Sequence, residues 1–123
     1  MQFTRDPGIE PNAIIACTAG EVRLRDRAFT TSLIVTRNAV LDGWRPPPVD
    51  QLTIADFTDL LALSPEVVLL GTGPRQRIPP PSLYVAFASR RVGLEVMDNG
   101  AACRTYNLLL SEFREVAVAL MME

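Results

Sequence analysis

Two loops carry the residue types that could do chemistry. Gly71-Thr72-Gly73-Pro74-Arg75-Gln76-Arg77 opens like a dinucleotide fingerprint, whose glycines let backbone amides approach a phosphate. The match ends at Gln76, which stands where the third glycine belongs, and Pro74 to Pro81 delays the next helix. Arg75 and Arg77 offer guanidinium forks that grip an anion together with backbone N–H groups. A tight turn with solvated arginines, or arginines paired to Glu66 or Asp98, accounts for the same residues. The second loop is Asp98-Asn99-Gly100, running into Cys103, Arg104 and Asn107. Cys103 falls in the first turns of a predicted helix, where the helix dipole and Arg104 lower a thiol pKa and favour the reactive thiolate. A cysteine preceded by two alanines in a helix also reads as a small core residue. Asn107, one turn on, is placed to hydrogen-bond the Gly71–Gly73 loop. Asp98 reads as a helix cap, and nothing pairs it with a second acid as a glycosidase requires. The candidate binding set is therefore Gly71, Thr72, Gly73, Arg75, Gln76, Arg77, Asp98, Cys103, Arg104 and Asn107. No catalytic residue, metal ligand or cofactor is assigned.

Composition closes several chemistries. The 123 residues include no histidine, and all 12 basic side chains are arginine. Arginine stays protonated, so it serves neither as an ordinary base nor as a Schiff-base amine. The near-neutral proton shuttle is missing as well. Ser-His-Asp and Cys-His catalysis, a P-loop lysine and histidine metal sites are thus excluded within one chain. Cys17 and Cys103 are too few for a zinc site, which wants about four ligands. A disulfide is not expected without a mark of secretion. The net charge is −2 and the arginines are scattered among acids, so the basic stripe of a nucleic-acid binder is absent. Met1 to Gly8 has no apolar signal core, and no apolar run approaches the roughly 20 residues of a membrane span. A cytoplasmic location is expected.

The elements that must position these loops follow from periodicity. Residues 1–11, with Asp6-Pro7-Gly8 and Pro11, read as an irregular lead-in. Residues 13–41 suggest an antiparallel meander, with Phe29, Thr31, Leu33 and Val35 on one face and a short strand at Ala39 to Leu41. Trp44-Arg45-Pro46-Pro47-Pro48 must be extended loop. Thr53 and Asp56 make a partial capping box for a helix with Ile54, Phe57, Leu60 and Leu61 on one stripe. Val67 to Leu70 reads as a strand buried on both faces. Pro79-Pro80-Pro81 leads into a helix over 82–91 striped by Leu83, Ala86 and Phe87 and ended by Gly93. Leu94 to Met97 is the next strand. A helix from about Gly100 to Glu112 carries Ala102, Tyr106, Leu109, Leu110 and Phe113. Val116 to Met122 reads as a buried strand, with a helix as the alternative. The predicted class is a single α/β domain over 1–123. Its mixed sheet has a parallel β-α-β-α-β half over about 66–122, with right-handed crossovers. The meander of about 13–41 extends that sheet or packs over it. Ligands of such a sheet bind beyond the carboxyl ends of the strands, where the two loops face each other across one crevice.

Four segments, in order and spacing, resemble a known family. They are Val67 to Gly73, Arg75 to Arg77, Gly93 to Asp98, and Ala101-Ala102-Cys103-Arg104-Thr105-Tyr106-Asn107. The chain is similar to a small domain family of unknown function whose members include mitochondrial respiratory complex I assembly factor three and an adipogenesis-associated animal protein. The resemblance covers nearly the whole chain, and Gly-Thr-Gly and Arg-Thr-Tyr-Asn are its most specific parts. It implies a three-layer fold with a mixed sheet, helices and a second small sheet. For the mitochondrial members it implies assembly of complex I through protein partners at the inner membrane. Asn99-Gly100 departs from the threonine-led helix start that the resemblance implies. Two readings follow: an interaction or assembly protein without catalysis, linked to respiratory complex I, or a small-molecule or anion-binding domain using the crevice.

Overall fold

The computed structural model describes residues 12–122, so the lead-in expected over 1–11 lies outside the described residues. The described residues form eight strands: β1 (Ala16–Cys17), β2 (Val22–Arg23), β3 (Ala28–Phe29), β4 (Leu33–Thr36), β5 (Val40–Leu41), β6 (Val67–Gly71), β7 (Gly93–Met97) and β8 (Val116–Leu120). Its helices are α1 (Thr58–Leu61), α2 (Pro81–Ser89) and α3 (Asn99–Ser111). β1-β2-β3 make a small antiparallel sheet, and the large sheet has the order β5-β4-β8-β6-β7. β6 pairs parallel with both β7 and β8, while β4 runs antiparallel to β8 and β5 antiparallel to β4. The mixed three-layer α/β architecture read from the sequence is the one found.

Side-chain alternation explains the layers. β8 is the central strand, and all five of its residues are buried. Val116, Val118 and Leu120 face α3 and the small sheet, while Ala117 and Ala119 face the side of α1 and α2. The small alanines leave room there for Phe57 and Phe87, which meet edge-to-face with centroids 5.2 Å apart. β6 alternates in phase: Leu69 joins the α3 side, Val68 and Leu70 the opposite side. Each fully buried Leu or Phe contributes about 1.5–3 kcal/mol relative to exposure. A run apolar on both faces is the pattern of a strand covered twice.

Three expectations need correction. The common face expected for Phe29, Thr31, Leu33 and Val35 is broken at residues 30–32, so Phe29 belongs to the small sheet and Leu33 to the large one. Ser32 explains the break: its hydroxyl accepts from Met122 N (2.8 Å) and donates to Met122 O (3.3 Å). A side chain thereby continues the β4–β8 ladder in place of backbone. Second, the helix expected from Thr53 is a 3₁₀ turn, Ile54–Phe57, followed by the short α1. Thr53 N donates to Asp56 Oδ2 at 2.8 Å as the capping box requires, but Phe57 leaves helical geometry (φ −114°, ψ 16°) to bury its ring. Third, α2 and α3 end on left-handed residues that are not glycine, Arg91 (φ 59°) and Phe113 (φ 62°). The Val92 and Arg114 amides then donate back to Phe87 and Leu109 carbonyls, closing each helix end. Phe113 is thus thrown out of the predicted apolar stripe and is 64% exposed. There it lies under the Arg37 guanidinium at 5.7 Å, and Arg37 also donates to the Leu110 carbonyl at the α3 terminus.

Candidate functional site

The carboxyl ends of β6, β7 and β8 meet where the sequence placed its crevice. The side chain that occupies this point is Asn99, the first residue of α3. Asn99 is buried, accepts from Gly73 N at its Oδ1 (3.1 Å) and donates from Nδ2 to Met121 O (3.1 Å). Its own backbone N–H donates to Gly73 O at 2.9 Å. One residue therefore ties the ends of three strands together. Asp98 caps α3 by accepting from Ala101 N at 2.8 Å, which fixes Asn99 in its place. Gly71 is the complement of this lock. A Cβ there would meet Asn99 Oδ1, would lie 2.8 Å from Leu120 Cδ2, and would press on Ala102. Gly73 takes φ +104°, a conformation glycine adopts without the Cβ penalty.

The glycine loop is committed to itself. Thr72 is buried; its hydroxyl donates to Arg75 O and accepts from Arg77 N, both at 2.9 Å. Thr72 N donates to Met97 O at 3.0 Å. The amides of Thr72, Gly73 and Arg77 are thus all engaged within the fold. Gln76 donates from Nε2 to Val96 O at 2.8 Å, covering a carbonyl of the edge strand β7. Arg75 and Arg77 are exposed. Arg77 borders a cleft of about 340 Å³ formed with Ser32, Pro46 to Val49, Thr72, Met121 and Met122. Gly73, Asp98 and Asn99 line a smaller cleft of about 270 Å³ with Cys17 and Thr18. Glu66, considered above as a partner for the loop arginines, binds Arg114 Nε instead at 2.9 Å. That contact and the Glu115 amide hold the Glu66 carboxyl below its ordinary range.

Cys103, Arg104 and Asn107 lie elsewhere, under the small sheet. They line a cleft of about 180 Å³ with Ile14 to Cys17 and Gly100. Asn107 does not reach the Gly71–Gly73 loop. It sits eight residues beyond Asn99, about 12 Å along the helix axis. There its Oδ1 accepts from Ile14 N (2.9 Å) and its Nδ2 donates to Ile14 O (2.8 Å). Tyr106 is fully buried and donates to Asn12 O at 3.0 Å. The pair Tyr106 and Asn107 thereby fastens the start of the small sheet to α3. Replacing Asn107 by alanine is expected to cost about 2 kcal/mol, through two orphaned backbone groups. Amide exchange should accelerate at residues 14–17 while residues 67–71 keep their protection; equal acceleration of both would refute the local role.

Cys103 is buried in the core, in line with its reading as a small core residue. Cys17 of β1 stands beside Cys103, and neither is in a disulfide. The neighbouring Cys17 sulfur and burial raise the pKa of the Cys103 thiol, with Arg104 acting in the opposite sense. The half-buried Cys17 is lowered to about 7 by the neighbouring Cys103 thiol, against desolvation and the nearby Asp98 charge. The sequence offers no signal for Cys17, because only the fold brings β1 to α3. Asn99 was named in the second loop and as a departure at a helix start, but its reach to Gly73 and Met121 is tertiary as well. Among the described residues no group of three or more His, Cys, Asp or Glu could hold a metal ion. No helix among them is long and apolar enough to cross a membrane.

This geometry has known relatives. A solution structure of a protein from Xanthomonas campestris superposes with a TM-score of 0.84 at 35% identity, covering 99% of this chain and 92% of that one. The "NADH dehydrogenase [ubiquinone] 1 alpha subcomplex assembly factor 3" of Bos taurus is 32% identical over 98 residues, 78% of this chain and 52% of that protein. The "13 kDa major membrane protein" of Francisella tularensis subsp. holarctica is 37% identical over 62 residues, half of each chain. The chain spans about half the length of these curated relatives. A family profile described as "Protein of unknown function (DUF498/DUF598)" matches residues 14–121, and the chain belongs to that family.

Proposed function

We propose that this chain is an assembly factor that works by binding proteins in the cytoplasm, and that its clients are subunits or assembly partners of respiratory complex I. The observation that carries the reading is its likeness to assembly factor 3. Three features support it. The strand ends where a parallel sheet usually holds a ligand are tied to one another by Asn99 and its hydrogen bonds. The chain has no histidine or lysine to move protons. Ile15 (61%) beside β1 and Val85 (68%) on α2 stand in solvent on opposite sides of the large sheet, where each offers an apolar contact to a partner. In this reading the exposed Arg75 and Arg104 orient an incoming partner electrostatically.

Affinity capture from the native organism tests this. Tagged wild-type chain should recover complex I subunits or their assembly factors, and a bait with both Arg75 and Arg104 replaced by alanine should recover less. Recovery of neither above an untagged control would overturn the assignment.

A further inference from the structure

The two thiols form a site that the assembly role does not use. Asn107 pins Ile14 to α3, and Cys17 follows Ile14 by three residues, while Cys103 precedes Asn107 by one helical turn on the same face. The clamp therefore delivers Cys17 onto Cys103. Both line the cleft of about 180 Å³ beside Arg104. Cys103 belongs to the core cluster on this face of the sheet, and Cys17 packs against that cluster from its rim. Both are free thiols, one half-buried and open to the cleft, the other buried behind it.

We propose that Cys17 and Cys103 are a redox-active dithiol that closes to an intramolecular disulfide by exchange with an organic disulfide. Cys17 is the attacking residue. Its thiolate bonds to one sulfur of R–S–S–R, the R–S–S–R bond breaks, and RS⁻ leaves. Cys103 then loses its proton and bonds to Cys17 Sγ, and the bond from Cys17 to SR breaks. The second RS⁻ departs, and the two leaving groups are protonated by the two protons the cysteines release. In sum, two cysteines are oxidised and one organic disulfide is reduced to two thiols. The product bond ties the small sheet covalently to α3. The adjacent Cys103 thiol favours the Cys17 thiolate near neutral pH, which suits the attacking role. A pair of inert core cysteines would share the burial of Cys103 but not the open, thiolate-prone Cys17.

The test uses the reduced full chain, incubated with oxidised glutathione at neutral pH and read by intact mass and by counting alkylatable thiols after denaturation. The expected product is a monomer lighter by two hydrogens, with no alkylatable thiol, restored by dithiothreitol. Cys103→Ala should instead stop at a single glutathione adduct on Cys17. Its alkylation midpoint should move from about pH 7 up toward that of an ordinary thiol. Cys17→Ala should form adduct at least about tenfold more slowly, because the remaining thiol is buried. Persistence of two alkylatable thiols in the wild type, a stable adduct on its Cys17, or disulfide-linked dimers would each overturn the proposal. The wild-type masses decide the matter even if a variant fails to fold.

Discussion

Asn99→Ala is expected to lower stability by about 2–4 kcal/mol, because it leaves a buried amide and a carbonyl without partners. The amide is Gly73 N and the carbonyl Met121 O, each at 3.1 Å from the side chain that the substitution removes. A loss of this size is a large share of the 5–15 kcal/mol typical of a domain. Urea unfolding followed by Trp44 fluorescence measures it, since Trp44 packs on Phe57 and donates to Asp56 O at 2.8 Å. Asn99→Asp separates the two bonds. A carboxylate still accepts from Gly73 N but faces the Met121 carbonyl without a proton to give. Its protonated form restores that donor, so the folded state binds this proton more tightly than the unfolded chain does. The variant should therefore gain stability as pH falls toward the ordinary carboxylate range and lose it above. A cost below about 1 kcal/mol for Asn99→Ala, the size of a single ordinary hydrogen bond, would show that the strand ends do not depend on this side chain.

Gly71→Ala is expected to cost about 2–3 kcal/mol by overpacking. The new methyl meets Asn99 Oδ1 and lies 2.8 Å from Leu120 Cδ2 and 3.3 Å from Ala102 Cβ. All three neighbours are buried and held by central elements, so they yield little. The two variants are coupled through one space. In Gly71→Ala/Asn99→Ala the clash with Oδ1 disappears while the contact with Leu120 remains. The double variant should cost less than the sum by about 1 kcal/mol or more, as residues in contact do. Strict additivity would mean that Gly71 and Asn99 act through separate places.

What was legible in the sequence follows the range of the interactions. β6 and β8 are apolar on both faces over consecutive residues, so their burial is written locally. α3 announces itself through Asp98 and the spacing of Ala102, Tyr106 and Leu110. The split of the meander between two sheets was not legible, because it depends on Ser32 finding Met122, 90 residues away. Asn107 was singled out but given the wrong partner, since helical spacing fixes a face and not what packs on it. The same limit hid Cys17 beside Cys103. The segments that carry the family resemblance prove to be those by which the fold closes itself: Gly71 admits Asn99, Gly73 takes the left-handed turn, and Tyr106 and Asn107 hold the small sheet. A motif of this kind identifies architecture strongly and chemistry weakly.

The most direct test of the assembly role is the amount of assembled respiratory complex I in a strain of the native organism lacking this gene, resolved on native gels and quantified by NADH oxidation in the gel. Less mature complex, accumulation of partly assembled pieces, and recovery when the wild-type chain is supplied are expected. An unchanged amount of mature complex I in the deletion strain would contradict that role.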